Sequence, residues 1–275
     1  MPHVDRNGCS LYYHREGEGE TVTFVGDLGY GAWQWAWQYA AVAGPFEALT
    51  WDLRGTGRSD VPDGPYSIAE LTADLEAVLS ETRTKQTHLV GSGLGGLICL
   101  QYALDYHRAR SLTLIGTSAG GQYLPENPIE RLYAPADDEM ELRETLRPVL
   151  TEAFFEEQPA VVDGIVRWRV GEREAGQEPD AGSDGRDGDA PAAGWRAQAA
   201  AIEGFDVGDR LFEVTEPALV IHGTADAVWS AVGGQTLAEG LPRGRYEPVE
   251  GGPHLVGVEC SRVVDDLLVG FVERD

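Results

Sequence analysis

Lysine is nearly missing from this chain: Lys85 stands alone among 21 basic residues, the rest being arginine. Against them stand 46 acidic residues, a formal net charge of −25. A surface so short of cations repels nucleic-acid phosphates and anionic membranes, so neither is expected as a partner. The acids are spread along the chain and interleaved with apolar runs, which excludes an acidic tail. They fit a surface built for molar salt, where the screening length falls to about 3 Å and self-repulsion fades. Cysteine is scarce as well. Cys9, Cys99 and Cys260 lie far apart with no C-x-x-C spacing, which excludes a disulfide framework and a thiolate metal site and suits reduced thiols in a cytosolic protein. No stretch approaches the roughly 18 consecutive apolar residues of a membrane span, and the start lacks a basic-then-apolar leader. No internal repeat is present. These absences leave a protein of a high-salt cytoplasm, monomer or homodimer, whose partner is a small molecule and which needs no metal or cofactor.

The elements that are present alternate. Asn7-Gly8 is a hairpin-turn dipeptide ahead of a strand at Leu11–His14, and Thr21–Val25 reads as a buried strand. After it comes the loop Gly26-Asp27-Leu28-Gly29-Tyr30-Gly31, then an aromatic helix from about Ala32 to Val42. Trp33 and Trp37 share one face of that helix. Trp33, just beyond a strand's carboxyl end, is a candidate for a pocket wall, although core packing explains such aromatics more often. Ala48–Asp52 is the next strand, and Tyr66–Leu79 has helical apolar spacing with Ser67 as its N-cap. A strand at His88–Val90 leads into a helix from near Leu94 to about His107, and Ser111–Ile115 is a further strand. Alternation of this kind predicts an α/β fold with a mostly parallel sheet covered on both faces.

Between residues 121 and 210 the rhythm changes. Helical stretches at Asp137–Leu150, Pro159–Arg173 and Ala190–Gly204 carry no strand between them, and Glu174–Gly194 reads as a flexible, solvated loop. Strands resume at Ala218–His222 and Tyr246–Glu250, and a last helix covers Cys260–Phe271. The division expected is a core of residues 1–120 and 211–275, with a helical cap over residues 121–210 whose acidic loop lies at about 174–194.

The glycine-dense corner Gly91-Ser92-Gly93-Leu94-Gly95-Gly96 sits between strand and helix, so its tip stands at the end of the sheet. Gly91, Gly93 and Gly96 also satisfy G-x-G-x-x-G, the dinucleotide-binding pattern. That pattern needs an acid about 20 residues on, where this chain reads Leu114-Ile115-Gly116-Thr117. It also belongs to a first βα unit, whereas here strands precede it.

Three segments follow one another: the corner at Gly93, then Ile221-His222-Gly223-Thr224-Ala225-Asp226, then Gly251-Gly252-Pro253-His254. With the D-x-R-G-x-G-x-S-D run from Asp52 to Asp60, the chain resembles the α/β-hydrolase superfamily along nearly its whole length. The resemblance implies an eight-stranded, mostly parallel sheet with helices on both faces and a helical cap. It implies Asp226 as the acid orienting His254, and His254 as the general base. It implies the backbone N–H groups of Leu28 and Leu94 as oxyanion donors.

Two positions depart from the pattern. The elbow that should carry serine carries Gly93, so the nucleophile is missing. Glycine also relieves the positive-φ strain of that corner. Ser92, beside it, projects in a different direction and is a poor replacement. The loop that usually reads His-Gly reads Gly26-Asp27, which puts a carboxylate near the oxyanion site. Asp27 is expected to turn away as a loop-former; turned inward, it opposes an oxyanion or adds an acid/base group. Function is therefore open between an atypical enzyme and a ligand-binding protein that has lost its chemistry. The enzyme would act on a small, largely apolar substrate through His254 and Asp226, by ester or acyl hydrolysis or related lyase chemistry.

Overall fold

Asn7 and Gly8 have φ of 55° and 80°, the doubly left-handed pair of a tight hairpin turn. They join β1 (His3–Arg6) to β2 (Cys9–Glu16), which pair antiparallel. In this computed structural model the described residues are 2–124, 132–134, 138–171 and 188–274. The sheet continues through β3 (Thr21–Val25), β4 (Glu47–Trp51), β5 (Thr87–Ser92), β6 (Ala109–Ile115), β7 (Ala218–Gly223) and β8 (Gly244–Val249). Its eight strands run in the order β1-β2-β4-β3-β5-β6-β7-β8. β2 meets β4 antiparallel, and every later pair is parallel.

Period-two alternation builds two cores. Val22, Phe24, Val90, Leu219 and Ile221 point to one face, where α1 (Ala36–Val42), α9 (Val256–Glu259) and α10 (Ser261–Val272) pack. Leu49, Leu89, Leu112, Leu114 and Val220 point to the other, toward α2 (Ile68–Glu81), α3 (Leu94–Asp105) and α8 (Ala231–Gly240). The Ser67 side chain caps α2 by accepting from the Glu70 N–H. Arg54 lies 4% exposed at the α2 surface. Its Nε and Nη2 donate to the two oxygens of Asp74 at 2.5 and 2.6 Å, and Nη1 pairs with Glu70. The run Asp52–Asp60 is thus fastened to α2, and Asp60 in turn accepts from the Ser10 N–H at 2.8 Å.

The segment between β6 and β7 holds α4 (Glu139–Glu144), α5 (Glu152–Glu157), α6 (Pro159–Arg169) and α7 (Ala192–Ile202), and no named strand among its described residues. Two expectations change here. The aromatic helix is a 3-10 turn at Ala32–Trp35 followed by the short α1, since the five indole and phenol rings of residues 30–39 pack in different directions. Most of the expected acidic loop lies outside the described residues, but positions 188–194 are not a solvated loop. The Asp189 carboxylate is 7% exposed and bonded on both oxygens, and the Ala190 N–H donates to the Gly29 carbonyl at 2.7 Å.

Candidate functional site

β5 ends at Ser92, and α3 begins at Leu94, so one residue turns the corner. Gly93 does so at φ 47°, ψ −112°, a conformation open to glycine and strained for other residues. Its N–H donates to the Ile115 carbonyl at 3.0 Å, and the Thr117 hydroxyl donates to its carbonyl at 2.8 Å. The corner is therefore pinned to β6 on both sides.

The loop after β3 approaches this corner from the neighbouring strand, and Asp27 faces inward, against expectation. Its Oδ1 accepts from the backbone N–H of Leu28 at 2.7 Å and of Leu94 at 2.9 Å. Oδ2 lies 2.8 Å from Nε2 of His254. The carboxylate is thus seated on both N–H groups anticipated as oxyanion donors. A Cβ built on Gly93 would lie 2.0 Å from Asp27 Oδ1. Asp27 fills the space that a side chain at position 93 would need. The usual loop-forming preference of aspartate loses because two backbone donors and an imidazole offer more than solvent does.

Asp226 follows β7. Its Oδ1 accepts from the N–H groups of Val228 and Trp229 at 2.7 and 2.9 Å, a turn that aims Oδ2 at Nδ1 of His254, 3.0 Å away. His222 is a fourth member that the sequence did not single out for a role: its Nε2 lies 3.3 Å from Asp226 Oδ2 and 3.1 Å from the Trp229 carbonyl. Its place in the segment ending at Asp226 was the available signal.

Both ring nitrogens of His254 face carboxylate oxygens, so both must donate and the ring is an imidazolium. Burial opposes the charge, but Asp226 and Asp27 outweigh it and push the His254 pKa up to about 10. Burial likewise opposes ionisation of Asp226, yet His254 and His222 hold its carboxyl well below the usual range. The signs for stability follow. His254 titrates higher folded than unfolded, so its contribution is complete below about pH 6.5 and is lost as pH rises toward about 10. Asp226 titrates lower folded, so its contribution is present above its ordinary value near 3.8 and lost as pH falls below it. An NMR titration in molar KCl is expected to find both His254 nitrogens protonated at neutral pH and deprotonating near pH 10. A midpoint near the free value of about 6.5 would show that Asp27 does not hold the ring.

Beside this pair lies a cavity of about 10 Å³, lined by Asp27, Leu28, Tyr30, Leu132, Ile202, Val228, Trp229 and His254, room for about one water. The Tyr30 hydroxyl is buried without a hydrogen-bond partner among the described residues, and burial raises its pKa. Trp33 is not at this wall; its Nε1 donates to Asp189 Oδ1 at 2.7 Å. Ser92 ends β5, buried, and no hydrogen bond among the described residues joins it to His254. Two residues between β6 and β7, Gln198 and Asp189, hold the loop after β3 in place. Gln198 accepts from the Gly29 N–H and donates to the Arg54 carbonyl, both at 2.8 Å. Asp189 bonds Trp33 and Arg169. A lone amide in an alanine-rich helix and an acid in a polar stretch gave no periodic signal. Among the described residues no group of three or more His, Cys, Asp or Glu is arranged to hold a metal ion, and no described helix is long and apolar enough to cross a membrane.

Residues 24–266 match the family model described as alpha/beta hydrolase family. The chain is 31% identical to the RutD protein of Variovorax paradoxus (strain S110), named as a carbamate hydrolase, over 96% of each chain. It is 28% identical to the RutD protein of Azorhizobium caulinodans over 98% of each. Among solved structures, the enol-lactonase from Burkholderia xenovorans LB400 superposes with a TM-score of 0.82 at 26% identity, covering 99% of this chain and 100% of the other.

Proposed function

We propose, for a chain that belongs to the alpha/beta hydrolase family, that it hydrolyses a small, largely apolar compound through His254 and Asp226 without a serine nucleophile. Relatives named for carbamate and enol-lactone hydrolysis support an ester, lactone or carbamate as the substrate class. The observation that carries the reading is His254, buried and bonded at both nitrogens beside an apolar cavity. A group held as an imidazolium begins a cycle as the acid. As water adds to the carbonyl carbon, the carbonyl oxygen takes the Nε2 proton and the neutral ring takes the spare proton of the added water. The restored imidazolium then protonates the leaving oxygen as its bond to carbon breaks and recovers a proton from the hydroxyl that becomes the new carbonyl, while Asp226 fixes the ring and stabilises its charge. The apolar lining excludes bulk water and strengthens these interactions. Cavity walls from Leu132 and Ile202 must part to admit anything larger than water. We also place the protein in a molar-salt cytoplasm, on the strength of its charge of −25.

A panel of short aryl esters, lactones and carbamates in multi-molar KCl tests the reading. Turnover by wild type is expected to fall about 10²–10⁴-fold in His254→Ala, the usual worth of acid–base catalysis. Equal rates in both proteins would remove His254 from the chemistry. A second reading is favoured by one observation: Asp27 already occupies the two N–H donors that a substrate oxyanion would need. On that reading the protein binds a ligand and does no chemistry. It is supported if wild type is inert throughout the panel while ligands still quench the fluorescence of Trp229.

A further inference from the structure

We propose that Asp27 is the nucleophile of this site, and that the substrate it suits is an electrophile at saturated carbon, such as an epoxide. The proposal rests on His254 and Asp226 forming a working proton relay, as above, and goes beyond it in naming the attacking atom and the carbon attacked.

The argument is one of which carboxyl the two backbone donors can serve. Leu28 N–H and Leu94 N–H both bind Oδ1 of Asp27 at 2.7 and 2.9 Å. They are therefore not free to stabilise an oxyanion on an incoming carbonyl. They are placed to stabilise one that forms on Asp27's own Cγ. An oxyanion arises there only if Asp27 has been esterified through its other oxygen. That other oxygen, Oδ2, lies 2.8 Å from Nε2 of His254, and both residues line the cavity. Attack on a saturated carbon creates no tetrahedral oxyanion, so the first step needs only a nucleophile and a proton for the leaving oxygen. Gly93 completes the arrangement, because any side chain there would overlap Asp27.

The steps balance. Oδ2 forms a bond to the epoxide carbon, the ring C–O bond breaks, and its oxygen takes the Nε2 proton of His254. Neutral His254 then takes a proton from water as hydroxide adds to Cγ of Asp27, and Oδ1 carries the charge against the two N–H groups. Collapse breaks the Cγ–Oδ2 bond. The departing alkoxide takes the proton from His254, and the acid left on Asp27 returns its own proton to the ring. Epoxide and water have become a diol, and carboxylate and imidazolium are restored. The buried Tyr30 hydroxyl, at the same cavity and without a partner among the described residues, is available to the oxygen of the bound ring.

The test uses wild-type protein in excess over a small aryl epoxide, in molar KCl made with water enriched in heavy oxygen. Diol from the first turnover is expected to be unlabelled, with the label found by mass spectrometry in the peptide containing Asp27. Asp27→Asn is expected to lower diol formation by roughly 10³-fold or more. Label in the first-turnover diol, with none in Asp27, would overturn the proposal, since water would then attack substrate directly; the reading of His254 would survive. An inert epoxide beside active hydrolysis of the ester panel would overturn it in the same way. Inertness toward both would remove the proposal and the proton relay together.

Discussion

Gly93→Ser alone is expected to give a destabilised protein that gains no esterase activity over wild type, whereas Asp27→Ala combined with Gly93→Ser is expected to gain hydrolysis of short aryl esters. The single substitution supplies the missing hydroxyl but places a Cβ 2.0 Å from Asp27 Oδ1 and 2.3 Å from its Cγ. It also forces a side chain into φ 47°. Backbone strain of about 1–3 kcal/mol and overpacking of similar size follow. The new hydroxyl would also meet an imidazolium that has no site to accept its proton. Removing the Asp27 carboxylate changes all of this at once. The N–H groups of Leu28 and Leu94 lose their anion and face the cavity, and Nε2 of His254 loses one of the two carboxylates that keep it charged. The double variant is expected to exceed the single one by at least about 10³-fold in kcat/KM, the scale of an oxyanion hole and a triad member acting together. Equal esterase rates in the two would mean that Asp27 leaves the donors free in solution.

The second large effect is expected where Arg169 and Asp189 meet the loop after β3. Arg169 is 2% exposed and donates to Asp189, to the Leu142 carbonyl and to the Thr145 hydroxyl at 2.6–2.8 Å. Asp189 passes the connection to the Trp33 indole and, at 3.4 Å, to the Gly31 N–H. Arg169→Met removes the cation and leaves a buried carboxylate uncompensated, a change of about 3–5 kcal/mol. Denaturant midpoints in molar KCl, compared at equal slope, measure it. The pair Arg169→Met with Asp189→Leu is expected to recover part of that loss, since the lone charge is gone. It will not recover all, because the Trp33 N–H then lacks its acceptor, about 1–3 kcal/mol if it stays buried. A loss under about 1 kcal/mol in the single variant would show that the pair adds nothing beyond an exposed one.

Much of the fold was legible because its cause is local. Buried strands β3 and β7 read as apolar runs at Thr21–Val25 and Ala218–His222, and α2 announced itself by spacing and by Ser67. Asp226 and His254 were legible through order along the chain, and their contact at 3.0 Å follows from adjacent strand ends. The orientation of Asp27 was not legible. An aspartate in a glycine-rich loop satisfies local turn preferences whichever way it points. Its true partners, Leu94 and His254, are contributed by other strand ends 67 and 227 positions away. Gln198 and Asp189 were hidden because their bonds reach residues far along the chain, and His222 because its bonds to the Asp226–Trp229 turn leave no periodicity.

The sequence by itself determined the alternation of strands and helices along the chain, the absence of a hydroxyl at position 93 and a formal net charge of −25, because these are fixed by residue identity and local spacing. Only the tertiary structure decided what replaces the missing side chain. Bringing the ends of β3, β5 and β8 together put one carboxylate on two backbone donors and against an imidazole. A buried charge takes the position where its hydrogen bonds are complete.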